Sequence, residues 1–221
     1  MKFSWLKKTD YPDYWLKYQD TFKNKPENNI NEVIFVVLDT ETTGFDFKKD
    51  RILCIGALKL KGGDIDVTKV FETYVHQEHF NPKTVHIHGL LKTRVSAVSE
   101  EEAIISFLEY IENAVLVAHH AHFDLTMINN ALKRLQLPLL KNKVLDTGIL
   151  YNKTRLTANF IEKQKIYSLD ELADMMHISK KDRHTALGDA YITAIVFLKT
   201  LIKLKKDHKI TTKHLLKLMR Y

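Results

Sequence analysis

The 221-residue sequence is poor in three residues that shape chains: it has one cysteine, four prolines and seven glycines. With only Cys54, a disulfide framework or a cysteine-rich zinc site within one chain is excluded, and a reducing cytoplasm is the expected compartment. Scarce proline and glycine, beside 45% hydrophobic residues, argue against long disordered tracts and for an ordinary globular domain. Long apolar runs are also missing. None approaches the ~20 residues that span a bilayer, and Lys7, Lys8, Asp10 and Asp13 interrupt the N-terminal apolar residues, so neither secretion nor membrane insertion is expected. Acidic charge is in deficit too. The formal net charge of +7 and a pI near 9.2 favour a polyanionic partner.

What is present divides into three parts. Residues 1–31 form an aromatic-rich extension with Tyr14, Trp15, Tyr18 and Phe22, closed by the polar stretch 24–29, which reads as a linker. A short helix packed on the main domain accounts for the aromatics; a docking or base-stacking element is the alternative. Residues 32–204 make the main domain. Val33 to Leu38 is apolar on both faces, as in a central strand covered on each side. Strands over 51–60 and 68–75 flank Gly62-Gly63, so the sheet opens as an antiparallel meander. Ser99 with Glu102 is a capping box for a helix carrying Ile104, Phe107, Leu108 and Ile111. A short strand over 115–118, a helix from Phe123 that stops before Pro138, a strand at 144–145, and helices over 168–176 and 186–204 follow. This alternation predicts an α/β layer fold. Residues 205–221 are a basic tail, open to three readings: a solvated helix, a nucleic-acid contact or a partner-docking element.

Asp39 and Glu41 end the central strand two positions apart, so both side chains leave one face. Asp124 follows a second strand, and Asp189 sits near the start of the last long helix. Four such acids repel one another unless cations neutralise them. Phosphodiester hydrolysis asks for that arrangement, because two metals about 3.5–4 Å apart activate a water and stabilise charge on both the entering and the leaving oxygen. Oxygen ligands suit Mg²⁺ or Mn²⁺ and not zinc. His184, five residues before Asp189, belongs to the loop entering the helix and is the candidate general base. Taken singly, Asp39 is as well read as a strand-end acid, and Asp124 and Asp189 as first-turn carboxylates favoured by the helix dipole. His119, His120 and His122 read as pocket or surface residues, and Asp146 as structural.

Asp39-Thr40-Glu41-Thr42-Thr43-Gly44, His122-Phe123-Asp124 and His184-Thr185-Ala186-Leu187-Gly188-Asp189-Ala190 resemble, in order, the three exonuclease motifs of the DnaQ-like (DEDD) superfamily, and the histidine places the chain in its DEDDh branch. The resemblance runs from about Val33 to Leu201. It implies an RNase H-like fold, a 3′→5′ exonuclease domain over residues 32–204, and two divalent cations, Mg²⁺ or Mn²⁺, on Asp39, Glu41, Asp124 and Asp189. Thr42 and the nearby backbone would hold the terminal nucleotide, with His88 and Leu90 lining the pocket. His120 stands where relatives usually have asparagine. The implied substrate is a single-stranded or frayed DNA 3′ end and the implied role proofreading or repair, as in the proofreading subunit or domain of a bacterial replicative polymerase, with a polymerase subunit as partner. An RNA-trimming enzyme of the same superfamily and a catalytically weak binding module are the alternatives.

Overall fold

Four consecutive buried residues, Phe35 to Leu38, open strand β1 (Phe35–Thr42), and a strand buried on both faces must lie inside a sheet with layers above and below it. The computed structural model, which describes residues 10–24, 27–78, 96–155, 165–205 and 210–219, places β1 at the centre of a five-stranded mixed sheet of order β3-β2-β1-β4-β5. β2 (Ile52–Lys61) and β3 (Asp64–Tyr74) continue from β1 as an antiparallel meander. β4 (Val115–Ala118) and β5 (Val144–Asp146) add parallel strands on the other side. Gly62 and Gly63, with φ of 64° and 100°, make the two-residue turn between β2 and β3, a conformation that favours glycine. β3 begins at Asp64 and not near Thr68, because residues 64–66 pair with β2 along a largely exposed edge strand, where apolar patterning is weak.

The period of two along β1 sends its side chains into two cores. Val36 and Leu38 face a layer containing α1 (Asp13–Thr21), α2 (Glu100–Ile111) and α3 (His122–Arg134). Phe35 and Val37 face α4 (Thr147–Lys153), α6 (Ala186–Lys205) and α7 (Thr212–Leu218). α5 (Leu169–Met175) packs on α6 through Leu172 and Val196. The Ser99–Glu102 capping box starts α2 as its spacing predicts. α1 is part of the first core. Trp15 is fully buried, and Tyr18 donates to Asn142 Oδ1 at 2.6 Å while accepting from the Lys141 amide. α7 lies along the outer side of β5, from Thr211, which bridges to Asn29, to Met219, whose Sδ accepts from the Asp146 amide. It thereby covers an edge that would otherwise be open for pairing. Among the described residues no helix is long and apolar enough to cross a membrane.

Candidate active site

The parallel strands β1, β4 and β5 all end at one edge of the sheet, and three of the four acids singled out from the sequence, Asp39, Glu41 and Asp189, meet there. Asp39 and Glu41 lie in the C-terminal half of β1, opposite Gly56 and Cys54 of β2. The ladder shifts register immediately after Glu41, an irregularity common beside functional sites. Asp189 arrives from above. A Cβ on Gly56 would stand 2.3 Å from the Ala186 carbonyl carbon and the Leu187 amide nitrogen, so only glycine lets the first turn of α6 rest directly on the sheet. Asp189, in that same first turn and 5% exposed, is brought over the strand. One carboxylate oxygen from each of Asp39, Glu41 and Asp189 lies within 4.8 Å of the others.

Asp124 is buried in the first turn of α3 and is fastened to the same strand. Its Oδ1 accepts from the Thr40 amide at 2.9 Å and the Thr40 hydroxyl at 2.7 Å. It stands outside the three-acid group, yet its charge is felt by Asp39. Burial and then repulsion from Asp124, Asp189 and Glu41 push the Asp39 carboxyl well above the usual carboxylate range. Burial first, and repulsion from Asp189 next, raise Glu41 to about 7. Asp124 is raised to about 7 by burial against the opposing Thr40 hydrogen bonds. Burial raises Asp189 too, although Arg183 works against it. Desolvated acids that repel one another form a site that wants cations. The donor set is all oxygen, with room for several carboxylate ligands on one ion, and fits Mg²⁺ or Mn²⁺.

His184 sits on the loop before α6, exposed, with φ of 66°. Its amide donates to Asp189 Oδ1 at 3.3 Å. Arg183, one residue earlier, was missed by the sequence reading. Its guanidinium binds both oxygens of Asp170 at 2.9 and 3.1 Å, and its Nη1 contacts Asp189 Oδ2. The pair joins residues of different elements, which no local pattern announces. The Thr42 hydroxyl donates to the Gly44 carbonyl at 2.7 Å, closing the turn after β1. His88 and Leu90 lie outside the described residues.

His120 follows β4 with φ of 54°, a left-handed conformation in which asparagine and histidine are both enriched. Histidine can therefore occupy this position without unusual strain. His119 is held near neutral by burial, its imidazolium form disfavoured until about pH 4. A carbonyl only accepts, so its Nε2 carries the proton that is donated to Tyr167 O, and Nδ1 accepts from the Thr147 hydroxyl. Asp146 is structural. Its Oδ1 caps α4 through the Gly148 and Ile149 amides, and its Oδ2 accepts from the Ala121 amide. Phe45 is 75% exposed just past the turn, in ring contact with Phe123 at 5.7 Å.

The exonuclease family model (RNase_T) matches residues 36–197, a span that contains all four acids and His184. The chain belongs to the exonuclease family. Over 182 residues it is 31% identical to the DNA polymerase III subunit epsilon of Aquifex aeolicus, covering 81% of this chain and 86% of that protein. It is 38% identical over 176 residues, 78% of this chain, to the DNA polymerase III PolC-type of Caldanaerobacter subterraneus subsp. tengcongensis. The chain spans only about an eighth of such PolC-type relatives, 12% in that case. Among solved structures, exonuclease X in complex with 5′ overhanging duplex DNA superimposes with a TM-score of 0.62 at 20% identity, over 83% of this chain and 98% of that one. Escherichia coli exonuclease I in complex with a dA16 oligonucleotide gives 0.65 at 16% identity, over 79% and 42%. The fold of this exonuclease domain is thus the RNase H-like one.

Proposed function

We propose that this domain is a divalent-metal-dependent 3′→5′ exonuclease that trims single-stranded or frayed DNA ends and serves proofreading or repair beside a replicative polymerase. The observation that carries the reading is the convergence of Asp39, Glu41 and Asp189 on one small volume at the end of β1. Those three, with the second oxygen of Asp124, would hold two Mg²⁺ or Mn²⁺ ions. Bound there, such ions supply charge stabilisation for the entering and leaving oxygens of the phosphodiester. His184, exposed on a loop whose amide is tied to Asp189, takes the proton from the attacking water at a ring nitrogen. Thr42 and its turn orient the terminal nucleotide; His88 and Leu90, outside the described residues, are assigned to its pocket by the family resemblance alone. The exposed ring of Phe45 offers a base a stacking face. The catalytic unit comprises residues 32–204, with residues 1–31 and 205–221 as its flanking extensions.

The test is digestion of 5′-labelled single-stranded DNA with Mn²⁺, beside an EDTA control and an RNA oligonucleotide of matched sequence. A ladder shortening from the 3′ end, abolished by EDTA and by Asp39→Asn, is expected. Release of the 5′-terminal nucleotide first, or activity untouched by EDTA, contradicts the reading.

A further inference from the structure

Arg183 occupies an unusual position for a cation. Its guanidinium is half-buried between two carboxylates of different origin. Nε and Nη2 make a two-pronged contact with Asp170 in the first turn of α5, while Nη1 stands against Oδ2 of Asp189. The α5 end of this bridge is firmly built. Ser168 and Glu171 form a capping box there, and the Tyr167 carbonyl one residue earlier accepts from His119 Nε2. The other oxygen of Asp189, Oδ1, accepts from the His184 amide. Both oxygens of Asp189 are therefore engaged by consecutive residues of one loop. An ion drawn to the three-acid cluster needs an Asp189 oxygen and meets the positive charge of Arg183 beside it.

We propose that Arg183 is a resident counter-charge for the acidic cluster. Parked on Asp170, it holds Asp189 and the His184 loop in place while the site is metal-free, and it yields Asp189 as a divalent cation enters. It thus sets the metal concentration at which the site fills. The proposal rests on the metal-dependent reading above, and adds a competitor to it. A planar fork suits the task, since it can keep two contacts on Asp170 while releasing the third.

Three substitutions separate this role from simple bracing of the loop. Removing a competing positive charge should tighten metal binding, whereas removing a brace should loosen it. Titration of the metal-stripped full chain with Mn²⁺, followed by calorimetry and by the Mn²⁺ resonance signal without substrate, reads this directly. Arg183→Gln is expected to bind Mn²⁺ about tenfold more tightly than the native chain. Asp170→Asn is expected to bind more weakly, because Asp189 becomes the sole carboxylate for the guanidinium. Arg183→Lys, which keeps the charge but loses the fork, should fall between the native chain and Arg183→Gln, and carries the test should the glutamine variant fail to fold. Unchanged or weaker Mn²⁺ binding by a folded Arg183→Gln, with normal binding by the native chain, overturns the role of Arg183 alone. Failure of the native chain to bind Mn²⁺ sinks the metal-dependent reading and this proposal with it.

Discussion

Two corners of the sheet carry an aspartate at the end of a parallel strand, and they are built in opposite ways. At the β5–α4 corner, Asp146 spends both oxygens on backbone amides, two opening α4 and one from Ala121. At the β1–α6 corner, Asp39 faces other carboxylates, and its carboxyl is driven upward by burial and by those neighbours. Strand-end position is shared, so position does not distinguish a structural acid from a candidate catalytic one. The partners do. An acid satisfied by amides steadies the fold, whereas buried acids set against one another cost stability that a ligand must return.

The comparison breaks most visibly if Asp39→Asn keeps its nuclease activity. A loss of about 10²–10³-fold or more is expected in an end-labelled DNA assay, with the circular dichroism spectrum unchanged. Gly56→Ala attacks the same corner through its backbone. The added methyl meets the first turn of α6, and a loss of about 3 kcal/mol in urea unfolding is expected, with activity falling as Asp189 is displaced. Asp146→Ala should do less, costing about 2 kcal/mol by removing a helix cap and stranding the Ala121 amide, while the folded fraction still binds Mn²⁺.

A further effect sharpens the contrast by pH. Without metal, Glu41 and Asp124 titrate near 7 in the folded protein and near 4 when unfolded. Between those values the folded state holds more protons. These acids therefore favour folding at the acidic end of the window, and stability is lost as pH rises through about 7, at about 1.4 kcal/mol per pH unit for each excess proton. Metal-free urea midpoints at pH 6 should exceed those at pH 8 from this source, and Mn²⁺ should flatten the dependence. Asp146→Ala should leave most of the slope in place, because the charge of Asp146 is the least of the influences that raise Asp124.

Much of this was legible from residue order alone. The apolar run before Asp39, the Gly62-Gly63 turn and the Ser99–Glu102 box are local signals, and each formed the element its pattern implies. The acids were readable as a group because strand ends and helix starts converge at one edge of an α/β sheet. Features set by tertiary packing were not. α4, seven residues long, lacks the Ser-x-x-Glu box that opens the equally short α5, and periodicity over so few residues is weak. Gly56 looked like an ordinary residue in an apolar strand, although an isolated strand glycine is a known sign of close backbone approach. The bridge from Arg183 to Asp170 spans 13 positions and a turn, and only folding brings its ends together. The His120 position was the reverse case: the resemblance marked it out in the sequence, and only the structure shows its φ of 54°.

The claim on which the rest depends is that the β1–α6 corner is an acidic cup completed by divalent ions. Its most direct test is the melting temperature at pH 8 of metal-stripped protein, with EDTA or saturating Mn²⁺, for the native chain and Asp39→Asn. A rise of about 5 °C or more with Mn²⁺ in the native chain, largely lost in Asp39→Asn, is the predicted result. No Mn²⁺-dependent rise in the native chain, or an equal rise in the variant, would contradict it.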